Sequence, residues 1–195
     1  SKPGLKTKST PYGSLDRSFT PAKFAMGAGA TFFARTIDTD PKHMIEVFQA
    51  ASEHKGTSLI EVFQNCIIFN DKVHDDFTNR STRDEHTVRL EAGRAMIFGK
   101  DKNKGLVQDG FDFKEVPVSG NEDKLFIHDP SNDSLAQILT NLDGLNGPIP
   151  LGVIKKVDAP IYEENFYEQI NAQKESKGPG KIEDLLYSGN TWKVD

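Results

Sequence analysis

Two β-prone runs bracket one helix-prone stretch, and that order constrains the fold more than any other feature of the sequence. Ala30 to Thr36 is β-branched and aromatic, and Asp40-Pro41 then starts a helix whose apolar residues Met44, Ile45, Val47, Phe48 and Ala51 are expected to share one face. His54-Lys55-Gly56 ends that helix, and Ser58 to Phe63 follows as a nearly continuous apolar strand. A strand without polar alternation is what a parallel sheet covered by helices on both faces requires, so the series predicts a right-handed βαβ unit and an α/β fold.

Around this unit the chain is punctuated by turn and cap signals. Residues 1 to 20 are rich in Lys, Ser, Thr, Pro and Gly and read as an extended loop with a turn at Thr10-Pro11-Tyr12-Gly13. Thr20-Pro21 has the form of an N-cap followed by a first-turn proline, predicting a short helix over Ala22 to Met26 that Gly27 stops. From Asn70 to about Val118 apolar runs are short and glycines frequent, which predicts short strands and irregular loops. Lys124 to His128 reads as a brief strand, and Asp129-Pro130-Ser131 as the start of a helix carrying Leu135, Ile138, Leu139 and Leu142 against the sheet. Gly147 to Ile154 is expected at a sheet edge, because proline cannot donate to a ladder. Ile161 to Lys174 predicts a further helix, and Ile182 to Trp192 a tail docked on another surface.

Composition narrows the class. In 195 residues, acids outnumber bases 29 to 24 and no basic cluster is dense enough to grip phosphates, which argues against nucleic acid. No stretch approaches the roughly 20 apolar residues of a membrane span, and a single cysteine fits a reducing, cytoplasmic setting. The sequence opens Ser-Lys-Pro-Gly with neither methionine nor a signal pattern, and is read as part of a longer chain.

Few residues carry chemistry by themselves. Cys66, at the end of an apolar run, can neither close an internal disulfide nor hold a metal alone, so any chemical role needs partners elsewhere; the alternative is a small buried hydrophobe. The five histidines show no zinc-site spacing: His43 and His54 flank a surface helix, His74 and His86 sit in a polar region, and His128 begins a turn. Gly27-Ala-Gly-Ala30 follows a helix and precedes a strand, the reverse of a dinucleotide loop. Asn70-Asp71 reads as a turn, and Asp75-Asp76 and Glu163-Glu164 as solvated charge.

Four segments, in order and spacing, carry a family likeness: Lys8-Ser-Thr-Pro-Tyr-Gly13, Gly27-Ala-Gly-Ala-Thr-Phe-Phe-Ala-Arg-Thr36, His54-Lys-Gly-Thr-Ser-Leu-Ile-Glu61 and Gln64-Asn-Cys-Ile-Ile-Phe-Asn-Asp71. With Phe98-Gly99, His128-Asp129, Pro148-Ile-Pro-Leu-Gly152 and Gly189-Asn-Thr-Trp192, the sequence resembles the β subunit of 2-oxoacid:ferredoxin oxidoreductases, nearest the 2-oxoglutarate type, in its C-terminal portion. The resemblance implies a partial thiamine diphosphate-binding fold, a parallel sheet flanked by helices, over residues 1–71, and a mixed C-terminal extension over residues 72–195. It implies an enzyme that oxidatively decarboxylates a 2-oxoacid to an acyl-CoA and passes electrons to ferredoxin, using thiamine diphosphate, Mg2+ and a 4Fe–4S cluster. The implied partners are the α subunit, the N-terminal part of the β subunit, ferredoxin and coenzyme A. The family's diphosphate and magnesium motifs and its other cluster cysteines do not occur here. Only Cys66 matches a functional position, that of a cluster ligand, and the chain alone is expected to be inactive. Left without its neighbour, the Leu59–Phe63 strand is expected to drive self-association or to retain an N-terminal piece. The alternatives are a non-catalytic interaction domain that keeps the enzyme scaffold, and pyruvate or branched-chain oxoacid specificity.

Overall fold

The computed structural model describes residues 3–16, 18–144 and 146–194. The chain divides into two units, residues 1–159 and residues 160–195.

In the first unit, α1 (Pro21–Gly27) begins with its proline in the first turn. β1 (Phe32–Ile37) is buried along its whole length. α2 (Pro41–Ser52) is capped by Asp40, whose side chain accepts from the His43 amide at 3.2 Å. β2 (Ser58–Phe63) runs parallel to β1, with Phe32 opposite Ser58 and Ile37 opposite Phe63. The strand, helix, strand unit therefore forms where the sequence predicts it. Two one-turn helices, α3 (Asp75–Thr78) and α4 (Arg83–His86), lead to β3 (Thr87–Arg89), β4 (Ile97–Phe98), β5 (Lys104–Asp109) and β6 (Asp112–Pro117). α5 (Asp133–Leu139) is capped by Asn132, three residues beyond the expected Asp129, and β7 (Ile149–Lys156) closes the unit.

Among the described residues these strands make one seven-stranded sheet in the order β2-β1-β7-β3-β4-β5-β6. The sheet is mixed: β1 with β2 and β3 with β7 are parallel, and the other pairs are antiparallel. On one face α1 and α5 bury Ala22, Ala25, Leu135, Ala136 and Leu139 against Phe33, Val88, Leu106 and Ile154. On the other, α2 lays Val47 over Phe32 and Ala34.

Three expectations are corrected. First, β7 is a central strand rather than an edge. It pairs with β3 over Ile149–Leu151 and with β1 only from Gly152 onward. The Leu151 carbonyl accepts from the Leu90 amide, so the backbone of Pro150 faces the other flank, where β1 no longer pairs and no donor is needed. Gly152 follows with φ at 115°, and a side chain there would meet the Leu90 carbonyl oxygen at 2.9 Å. Second, Lys124 to His128 forms no strand. Its backbone instead makes one isolated antiparallel bridge, Ile127 opposite Ala95, closed by the Met96 amide to the Phe126 carbonyl and the His128 amide to the Arg94 carbonyl, while the Phe126 amide donates to Leu106. Third, the apolar face of α2 is only partly covered: Val47 is buried, yet Ile45 is 65% and Phe48 49% exposed. Glu46, on the opposite flank, lines a groove with Arg89 of β3 and Gly152 of β7. The Phe48 flank therefore points toward the β2 side, where the sheet ends.

The second unit holds α6 (Tyr162–Lys177) and α7 (Ile182–Leu186). None of its described residues is buried, and Trp192, expected to dock, is 84% exposed.

Candidate functional site

The carboxyl ends of β1 and β2 lie side by side, the place where open α/β sheets gather ligands. β1 delivers Asp38 and β2 delivers the loop from Gln64 to Lys72. Asn65 organises that loop: its amide donates to Asp38 Oδ2 at 3.1 Å, its side-chain nitrogen to Asp71 Oδ1 at 2.9 Å, and its Oδ1 accepts from the Lys72 amide at 2.8 Å. One asparagine thus ties both ends of the loop to each other and to β1. Lys72 takes a left-handed φ of 62° to return the chain. Inside this clamp the Asn70 amide donates to the Cys66 carbonyl at 2.9 Å, so Asn70-Asp71 completes a turn as expected.

The clamp holds Cys66 outward. Its thiol is free and exposed, which excludes the buried-hydrophobe reading, and Ile67, Ile68 and Phe69 stand exposed beside it. Against the loop lies a cleft of about 600 Å³ lined by Asp38, Thr39, Asn65, Lys72, Asp75 and Arg80, among others. Asp38 Oδ1 is shielded there without a hydrogen-bond partner. Of these polar residues the sequence pointed only to Asp75, read as solvated charge; for the others the available signal was the position of Asp38, two residues past the strand predicted over Ala30 to Thr36.

No group of three His, Cys, Asp or Glu residues among the described residues could hold a metal ion. A cluster with four thiolate ligands cannot be built from this chain, whose single cysteine could supply one ligand at most. Thr10 sits in a simple turn, its carbonyl accepting from Gly13 at 3.0 Å, and Gly27-Ala-Gly-Ala30 runs from α1 into β1 as expected.

Four of the five histidines are buried or half-buried, and His86 stays exposed. His54 and His128 are buried, the first with Nε2 2.9 Å from Thr31 Oγ1, the second with Nε2 2.8 Å from the Val153 carbonyl. His74 packs against Phe63 and Phe77, which also touch each other. His43 Nδ1 lies 2.9 Å from Thr36 Oγ1, behind Asp40, which pairs with Arg83 and Arg89. Burial pushes the Asp40 carboxyl up, but the Arg89 hydrogen bond, the His43 amide and the two guanidinium charges outweigh it and leave it below the usual carboxylate range.

Burial, reinforced by Arg89, brings His43 down from 6.5 to about 4, and burial lowers His54, His74 and His128 as well. Between those two values the folded chain keeps the His43 ring neutral while the unfolded chain protonates it. Stability is therefore unaffected by His43 above about pH 6.5 and falls as pH drops from there toward about 4. Urea unfolding at about pH 7 and about pH 4.5 checks this: His43→Gln should lose less stability between the two than the wild type. Equal losses would refute it.

Comparison with known proteins extends this geometry. No protein-family model matches the sequence. The 2-oxoglutarate oxidoreductase subunit KorB of Mycobacterium tuberculosis is 32% identical over 201 residues, covering 100% of this chain and 54% of KorB. The 2-oxoacid:ferredoxin oxidoreductase β subunit of Saccharolobus solfataricus is 40% identical over 70 residues, 36% of this chain and 23% of that subunit. Among solved structures, the 2-oxoglutarate:ferredoxin oxidoreductase from Magnetococcus marinus, with 2-oxoglutarate, coenzyme A and succinyl-CoA bound, matches with a TM-score of 0.63 at 20% identity. That match covers 97% of this chain and 51% of that one. The mixed α/β sheet and its flanking helices thus share the fold of part of that enzyme's chain. More particularly, the chain is a relative of the β subunits of 2-oxoacid:ferredoxin oxidoreductases, with a 2-oxoglutarate oxidoreductase subunit aligned along its whole length. It spans about half the length of that subunit and of the solved chain. No helix among the described residues is long and apolar enough to cross a membrane.

Proposed function

We propose that this chain is the C-terminal portion of the β subunit of a cytoplasmic, thiamine diphosphate-dependent 2-oxoacid:ferredoxin oxidoreductase acting on 2-oxoglutarate. Residues 1–71 complete the thiamine diphosphate module and residues 72–195 form the β-subunit extension, working with an α subunit, the N-terminal part of the β subunit, coenzyme A and ferredoxin. The observation that carries this reading is the alignment of the whole chain with a 2-oxoglutarate oxidoreductase subunit, joined to an exposed thiol on a clamped loop. In such an enzyme thiamine diphosphate, with its Mg2+, supplies the carbanion chemistry of decarboxylation, and the cluster carries electrons one at a time.

The part played by these residues is positional. Cys66 gives one thiolate to a 4Fe–4S cluster whose other ligands lie outside this chain. Asn65, bonded to Asp38, Asp71 and Lys72, fixes where that sulfur is presented. A strand end and a three-way clamp hold a ligand at constant geometry through a redox cycle better than a free loop would.

Two results follow. Cys66→Ser in the intact enzyme should lower iron and acid-labile sulfide content and abolish ferredoxin reduction while leaving the protein folded; unchanged iron content would remove Cys66 from the ligand set. The 195-residue chain alone, given 2-oxoglutarate, coenzyme A and oxidised ferredoxin, should reduce no ferredoxin. Turnover by the isolated chain would refute the division of labour proposed here.

A further inference from the structure

The two ends of the sheet are built differently. β6, outermost at one end, reads Asp-Phe-Lys-Glu-Val-Pro and carries the charges and the proline that keep an edge from pairing. β2, outermost at the other, reads Ser-Leu-Ile-Glu-Val-Phe, with no proline, no lysine and no register shift against β1. Its one charge, Glu61, is committed to Arg35. β2 also packs on both faces, Leu59 on the α1 and α5 side and Ile60 on the α2 side, as an internal strand does. Its backbone completes the contrast. The Phe32 amide donates to the Thr57 carbonyl and the Asp38 amide to the Phe63 carbonyl, so the odd-numbered residues turn their backbone groups toward β1. By the two-residue period of a strand, Ile60 and Val62 turn their N–H and C=O groups outward, where no strand lies among the described residues.

We propose that β2 is an internal strand of the complete sheet, its outer edge paired with a strand from the N-terminal part of the same polypeptide; this rests on the functional reading above. In the M. tuberculosis subunit the aligned stretch is 54% of one chain, and in the solved enzyme 51%, so nearly as much chain again is joined to it covalently. A strand tethered in the same polypeptide meets the edge at high effective concentration, ahead of a separate subunit or a second copy. The outward main-chain groups of Ile60 and Val62 supply the ladder bonds, as in any strand added to an open edge. Pairing on both sides also holds β2 fixed where it delivers the Gln64 to Lys72 loop, and with it Cys66.

The test follows single amides by hydrogen exchange, in the 195-residue chain alone and in the intact subunit assembled into its enzyme. In the chain alone, Ile60 and Val62 should exchange at least about a hundredfold faster than Leu59 and Glu61, whose amides face β1; in the intact subunit that gap should close. Benzoylphenylalanine in place of Val62 then identifies the neighbour by photo-crosslinking in the intact enzyme. The expected product joins position 62 to residues that precede Ser1 in the same polypeptide. Crosslinks to the α subunit or to a second copy, or amides of Ile60 and Val62 that stay fast in the intact subunit, would overturn the seam. A closed gap with an intrasubunit crosslink, in an enzyme that oxidises no 2-oxoglutarate, would leave the seam standing and remove the functional reading.

Discussion

Phe33→Ala should cost this fold about 3–5 kcal/mol, the range for deleting a fully buried aromatic ring. Phe33 is inaccessible to solvent and lies where α1, α5 and the sheet converge, among Ala22, Ala25, Val88, Leu139 and Ile154. It sits on β1, which is hydrogen-bonded on both edges, so the surroundings cannot collapse into the gap without moving two neighbouring strands. Its ring also faces the Arg35 guanidinium at 5.8 Å, and alanine offers no π face to that cation. Phe111, at the exposed tip between β5 and β6, is the control: Phe111→Ala should change stability by no more than about 0.5 kcal/mol. Urea denaturation of both variants checks the contrast, and similar midpoint shifts would show that Phe33 is not the core residue its burial makes it.

The second large effect is electrostatic. Arg35 is buried, and its Nε donates to Glu61 Oε2 at 2.7 Å across the β1–β2 pair. Glu61→Ala should destabilise by about 3–5 kcal/mol, because it strands a guanidinium in a site where taking a charge out of water is expensive. What remains for that charge is the Leu142 carbonyl at 3.3 Å and the faces of Phe33 and Phe63. The double replacement Arg35→Met/Glu61→Leu should recover most of the loss, since two well-packed apolar chains need no desolvation. A double-mutant cycle by denaturation measures this. If Glu61→Ala alone is near neutral, the pair is better solvated than its burial implies.

The pair also shows how far the sequence could be read. That Ala30 to Thr36 and Ser58 to Phe63 are strands joined by a helix was legible, because β-branched runs, Asp40-Pro41 and His54-Lys55-Gly56 each act through local backbone preference. That Arg35 meets Glu61 was not, since a register across two strands separated by a helix depends on how the helix seats. Likewise the exposure of Cys66 depends on the three hydrogen bonds of Asn65, two of which reach residues distant along the loop. The motif segments carried the family, and the geometry of the thiol came only from the folded loop. The settings of His43, His54 and His128 were not legible for a related reason: polarity predicts exposure on average, yet Thr31, Thr36 and the Val153 carbonyl supply buried partners that no local pattern reveals.

By itself the sequence determined the βαβ start, the Asp40 cap of α2, and the relation to 2-oxoacid:ferredoxin oxidoreductase β subunits, because these reside in short-range preferences and in the order of motifs. Only the tertiary structure decided that the proline-bounded run is the central strand β7, inserted between β1 and β3 from far along the chain. It alone decided that α2 leaves Ile45 and Phe48 exposed and that the second unit buries none of its described residues. The physical reason is the same in each case. Which backbone groups and apolar faces find partners depends on long-range pairing, and a strand's place in a sheet is set by its neighbours rather than by its own residues.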